Sequence, residues 1–323
     1  MKAGRVKVPK KDFVGSLLSE YATLLVLILV VLAFVALRPD VFPTYVNLRN
    51  ILQQVSILAV IATTQTFVLS VGDIDISVGA LGSLIGVSTT TLMLQGVPVP
   101  VAILVGLVMG AAAGAMNGTF VAILGLAPMV ATLGAMTAFQ GASMLVAHGR
   151  TVYGFPESFS VLGNTGRVGP VPLLVIIGLA VLVLGWFVLT RTAVGRHWHA
   201  IGGNREASFL SGVRVKRLRM LAYVVSGLGA ALMGILIASR IASANPTQAV
   251  PYLLPSLATV FIGMTAFQRG QANIPGTFVG VLILGVIANG LGITNVNTYV
   301  VQVVTGAVML GAITFSQLVR KKA

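Results

Sequence analysis

Cysteine is absent from the chain, which rules out disulfides and thiolate metal sites. Charge is nearly as scarce: 9% of the 323 residues are charged, where a globular domain carries about a quarter. Only seven are acidic: Asp12, Glu20, Asp40, Asp73, Asp75, Glu157 and Glu206. The three histidines (His148, His197, His199) form no cluster with metal-ligand spacing, and the pair flanking Trp198 on a basic stretch reads as interfacial. No Gly-Lys dipeptide occurs, so the GxxxxGK[ST] phosphate loop is missing and with it that route to ATP hydrolysis. No nucleophile–base set stands out either. Neither an enzyme nor a cofactor is expected.

What is there is apolar. Hydrophobic residues make up 56% of the chain, which specifies an all-α, polytopic membrane protein. The net charge of +14 would suggest nucleic acid in a soluble chain, but here it answers to anionic lipid and to the orientation rule. The bilayer is the expected partner, not nucleic acid.

The first basic segment, 1–16, carries Lys2, Arg5, Lys7, Lys10 and Lys11. An apolar stretch over 17–37 follows, long enough to span, since about 20 residues cross the hydrocarbon. It runs into Arg38-Pro39-Asp40 rather than a small-residue cleavage site, so it reads as a first membrane helix and not a signal peptide. Nine further apolar runs lie near 50–71, 77–95, 98–117, 127–147, 171–190, 218–241, 253–267, 276–293 and 298–318. Ten spans from an inside N-terminus bring the C-terminus inside, where 319–323 form a basic tail ending the 17–318 membrane domain. The stretch 191–219 also falls inside. These three segments hold fifteen of the 21 Lys and Arg residues, as short cytoplasmic loops should.

The cytoplasmic loop 191–217 divides the domain into halves 17–190 and 218–318. An odd number of spans in each makes a 5+5 inverted repeat the expected relation. The sequence offers one echo for it, Gly118-Thr119-Phe120-Val121 against Gly276-Thr277-Phe278-Val279. Elsewhere Gly106, Gly110, Gly114 and Gly118 line one helix face, which predicts a tight helix–helix seam.

Two acids, Asp73 and Asp75, sit within a hydrophobic region. A carboxylate at membrane depth costs about 3 kcal/mol and demands a partner or water. Between Gly72 and Gly79 the helix weakens, and Asp75 or Ser77 is placed to cap a span restarting at Val78. Capping alone and a contribution to a substrate path are both open readings. Asn117, Thr132, Gln140 and Asn289 are further polar groups in or beside spans, each readable as an interhelical hydrogen bond or as path lining. A second break spans 263–276 and contains Gln268, Arg269, Gln271 and Asn273. In the cytoplasmic loop, Asn204 predicts a cap for a short helix starting at Arg205, with Gly212 at its far end. Such a helix is either a grip for a soluble partner or a solvated connector.

Three stretches carry a family resemblance. Residues 72–79 read GDIDISVG and resemble GGIDLSVG; 128–136 read PMVATLGAM and are similar to PFIATLGTM; 200–212 read AIGGNREASFLSG and resemble AIGGNxEAAxLSGI. Their order and spacing match the permease subunits of ribose-type sugar ABC importers, from about residue 45 onward. The resemblance implies ten spans in a bacterial inner membrane and pairing of two permease copies. It also implies a cytoplasmic ABC ATPase and a periplasmic sugar-binding protein as partners, and a pentose or related sugar as cargo. It assigns the ATPase-coupling role to Gly203, Asn204, Glu206, Ala207, Leu210, Ser211 and Gly212. Candidates for the substrate path are Asp73, Asp75, Ser77, Asn117, Thr132 and Asn289. Two departures stand out. Asp73 replaces a glycine, and the GGTSLSGGxGSxxGT stretch appears at 263–277 with bulkier and charged residues. Alternatives are a proton-coupled secondary transporter using Asp73 or Asp75, and a permease of this class for a nucleoside, an amino acid or a signalling sugar derivative.

Overall fold

The computed structural model describes residues 13–264 and 270–294, with parts of 296–314. Helices stand where the apolar runs predict them. They are α1 (Phe13–Leu37), α2 (Tyr45–Ser70), α3 (Val78–Leu94), α4 (Val99–Gly118), α5 (Pro128–Val146) and α6 (Leu173–Arg191). After the loop come α9 (Val215–Ile241), α10 (Leu253–Gly263) and α11 (Ile274–Ile293), and the described parts of 299–314 are helical. Among the described residues, six segments are long and apolar enough to cross a bilayer: α2, α4 with its extension to Ile123, α5, α6, α9 and α11. The apolar helices Thr23–Leu37, Val78–Leu94 and Val250–Gly263 are shorter. The protein is an all-α, multi-pass membrane protein.

The interior is built on α2 and α9. α9 packs along α2, α3 and α4, while α6, α10 and α11 cover the rest of α2. The predicted glycine seam lies between α4 and α9. A Cβ at Gly110 would meet the Gly227 carbonyl at 2.6 Å and the Ala231 methyl at 2.5 Å, and one at Gly114 would strike the backbone of Tyr223 and Val224. No larger residue fits there without separating the helices. The far face of α4 turns Val101, Leu104 and Val108 outward, and α6 likewise exposes Val183, Leu184 and Phe187. Apolar side chains outside and polar ones inside are what lipid as solvent selects.

Three features lie beyond the apolar pattern. α4 ends in a π-helical turn, Thr119–Ile123. A two-stranded hairpin pairs Arg167–Val168 with Val171–Pro172 just before α6. The loop after α6 holds two helices rather than one: α7 (Ala193–Gly203) precedes α8 (Arg205–Leu210). Trp198 of α7 is no interface residue. It is fully buried, stacks on Phe67 of α2 at 5.0 Å, and donates its indole N–H to the Leu218 carbonyl at 2.9 Å. His197, its neighbour, faces solvent, and His199 is half-buried.

The sequence echo occupies unmatched places. Gly118 ends α4, whereas Gly276 lies in the first turn of α11. Equivalent positions in related halves would share the same place along their helices, so this echo carries no weight for a repeat.

Candidate functional site

The short helix α8 forms as its sequence asks. Asn204 is extended, at φ −152° and ψ 107°, and its side-chain oxygen accepts the Ala207 N–H at 2.9 Å. The helix closes where Gly212 takes φ +81°, a conformation that costs glycine little. There the Gly212 N–H reaches the Phe209 carbonyl and the Val213 N–H reaches that of Ser208. Gly203, Asn204, Glu206, Ala207, Leu210, Ser211 and Gly212 are all exposed. Phe209 and Leu210 are 68% and 77% exposed at the tip. Lipid does not explain that, since the helix sits in the most basic segment of the chain. Beside α8 runs a groove of about 720 Å³ whose lining includes Arg205, Phe209, Arg214, Lys216, Arg217 and Arg219.

The α2–α3 break lies at the same end of the bundle as this loop. Asp73, wholly buried, receives Arg219 through Nε and Nη2, both at 2.9 Å, and Arg205 through Nη2 at 3.0 Å. Its carboxylate is therefore paired rather than stranded at membrane depth. Arg219 is the fifth residue of α9, so the cation comes from the start of a span.

Asp75 is equally buried but has no basic partner among the described residues. Its carboxylate accepts three hydrogen bonds. The Ser77 N–H and hydroxyl donate at 3.0 and 2.6 Å, and the Ser226 hydroxyl of α9 donates at 2.9 Å. Asn117 of α4 donates its side-chain N–H to the Ser77 hydroxyl at 2.9 Å, and Gln65 of α2 donates to the Asp75 carbonyl at 2.7 Å. Thr132 of α5 accepts the Ile76 N–H at 3.3 Å. Neither expected side chain caps α3: Asp75 takes the N–H of Ser77, ahead of the helix's own orphan groups, and Ser77 uses its hydroxyl on Asp75.

Five of the six path candidates, Asp73, Asp75, Ser77, Asn117 and Thr132, therefore meet in one buried knot joining α2, α3, α4, α5 and α9. Asn289 does not join them. It sits twelve residues along α11 from Thr277, whose hydroxyl bonds that of Thr66 at 2.9 Å, so it lies ~18 Å away along the helix. In the second break, Asn273 caps α11 by accepting the Gly276 N–H at 2.7 Å, while Gln268 and Arg269 lie outside the described residues. Sequence reasoning missed Arg219, Ser226 and Gln65 as members of the knot. One signal was present: Arg219, Tyr223 and Ser226 recur at helical spacing, a polar stripe at the entry of an apolar span.

Comparison with known proteins places this architecture. Residues 47–313 match the family described as "Branched-chain amino acid transport system / permease component". The D-allose transport system permease protein AlsC of Escherichia coli is 35% identical over 97% of this chain and 96% of its own length. The ribose import permease protein RbsC of Escherichia coli is 36% identical, covering 94% and 95%. RbsC of Bacillus subtilis is also 36% identical, covering 94% and 93%. The chain belongs to this permease family, among the ribose-type sugar ABC importer permeases.

Proposed function

We propose that this chain is the membrane permease subunit of an ATP-driven sugar importer in a bacterial inner membrane, with a ribose-like sugar as cargo. A separate ABC ATPase supplies the energy, a periplasmic binding protein delivers the sugar, and a second permease copy completes the path. The chain is a transport component, not an enzyme. The observation that carries this reading is α8: a capped, exposed, two-turn helix set between two spans and held to the α2–α3 break. Gly203, Asn204, Glu206, Ala207, Leu210, Ser211 and Gly212 form its docking surface toward the ATPase. Capped at both ends, it passes ATPase closure to the spans as a rigid-body movement.

The membrane domain 17–318 crosses ten times, with 1–16, 191–217 and 319–323 on the cytosolic side. The parity of the spans and the basic segments support that count and orientation. Five spans on each side of the loop run through the membrane in opposite senses, an inverted relation supported by the odd number alone. Asp73, Asp75, Ser77, Asn117 and Thr132 form the cytosolic end of the pathway region, where the polar knot joins the moving helices. Asn289 is a separate polar point toward the outer side. A neutral, hydroxyl-rich cargo suits spans that carry so little charge.

The test is Glu206→Arg, which reverses a charge on the exposed face of α8. Uptake of labelled sugar by cells that also express the ATPase and the binding protein should vanish. The variant should still reach the membrane in normal amount. Normal uptake by the variant contradicts the docking role.

A further inference from the structure

Asp73 has one cation more than it needs. Arg219 closes a two-pronged pair with it, and the Arg219 side chain is 8% exposed. That pair alone leaves the buried carboxylate neutralised. Arg205, the first residue of α8, adds a third bond to the same carboxylate from a side chain that is 47% exposed. The two cations differ in what their departure would leave behind. Losing Arg219 strands a charge in the protein interior, which is costly. Losing Arg205 leaves a satisfied pair inside and a guanidinium that water already reaches. Arg205–Asp73 is the contact built to open.

The geometry around it supplies a hinge. Gly202, near the end of α7, lies against the end of α2 so closely that a Cβ there would collide with the Ser70 carbonyl. α7 is further pinned by Trp198 against Phe67. Between this seated helix and α8 stands Asn204, extended and exposed. α8 therefore has a fixed neighbour, a single-residue joint and one electrostatic tether. The tether ends two residues before Asp75, whose carboxylate holds Ser77 at the head of α3 and Ser226 in α9.

We propose that the Arg205–Asp73 ion pair is the switched contact of the transport cycle. Closed, it holds the docking helix against the α2–α3 break. Open, it releases that break to move with α3, while Arg219 keeps Asp73 neutralised in both states. Arg205 and Asp73 act as positioning residues, since neither touches cargo in this role. The proposal rests on α8 being the ATPase-docking helix, and it adds which bond relays the movement.

The test uses the assembled transporter, permease with ATPase and binding protein, in proteoliposomes. The quantity measured is sugar moved per ATP hydrolysed. Arg205→Gln should still assemble and hydrolyse ATP, but transport per ATP should fall about tenfold, the size of an ordinary coupling energy. Arg205→Lys, which keeps the charge, should restore most of it. A static staple would lower thermal stability and leave the ratio unchanged, and an unchanged ratio overturns the proposal. A second measurement needs no variant: hydrogen exchange on the wild-type complex, nucleotide-free and trapped with ATP. Protection at 71–77 should change together with that at 204–208. Change at 204–208 with none at 71–77 overturns the switch. A wild-type complex in which ATP drives no transport removes the docking reading and the switch together. Coupling that is equal in wild type and Arg205→Gln removes the switch alone.

Discussion

Arg219 and Asp73 show how much depends on single side chains in this protein. Their pair is buried, so truncating one partner should cost far more than replacing both. Asp73→Ala should destabilise the detergent-solubilised protein by about 3–5 kcal/mol, because Arg219 is left without its counter-charge. Asp73→Leu with Arg219→Met should recover much of that loss, which a double-mutant cycle of thermal unfolding would read directly. Equal losses in the single and the double variants would contradict the pairing. Trp198 makes a parallel case through packing. Trp198→Ala removes a wholly buried ring and its hydrogen bond to Leu218, a loss of about 3–5 kcal/mol. A surface tryptophan at a bilayer interface would lose far less. None of these partners was visible as a pair beforehand, because Arg205 and Arg219 lie 132 and 146 residues along the chain from Asp73. The chain showed that a carboxylate at this place needs a partner or water. Which of these it finds is a property of the folded bundle.

At the scale of elements, the helices were the most legible part. A run of about twenty apolar residues has few alternatives to a membrane helix, because lipid satisfies no backbone group. The spacing of Gly106, Gly110, Gly114 and Gly118 likewise announced a close approach, and α9 is the helix that makes it. Gly114→Leu should push α4 off Tyr223 and abolish membrane accumulation of the protein. Gly134→Leu on α5 is the control, since Gly134 is exposed and nothing lies within 4 Å of a Cβ added there. Similar amounts of both variants in the membrane would remove the seam from the account. α7 was missed although Val194, Trp198 and Ile201 recur at helical spacing, a face that packs on α6, α2 and α9. The capped helix α8 was legible from Asn204 and Gly212 alone. Asn204→Ala should weaken it by about 1 kcal/mol and loosen ATPase binding, measurable as a higher dissociation constant for the complex. An unchanged constant would mean that the cap has no part in docking.

For the whole molecule, the multi-pass membrane class was readable from scarcity of charge, and the three basic segments support the proposed orientation. The resemblance in the break, in α5 and at the loop helix then reached the same family that the comparisons give. The echo offered for an inverted repeat falls at opposite ends of α4 and α11 and lends it no support. What the proposed reading adds is a route: exposed helix, ion pair, break, buried knot and the five helices that it joins. In the proposed reading the protein forms the pathway, and a separate ATPase supplies the energy. Reconstitution measures that most directly. Vesicles containing the permease, its ATPase and a sugar-loaded binding protein should move sugar only while ATP is hydrolysed, and a protonophore should leave the rate unchanged. Accumulation of sugar against a gradient by the permease alone would contradict the account.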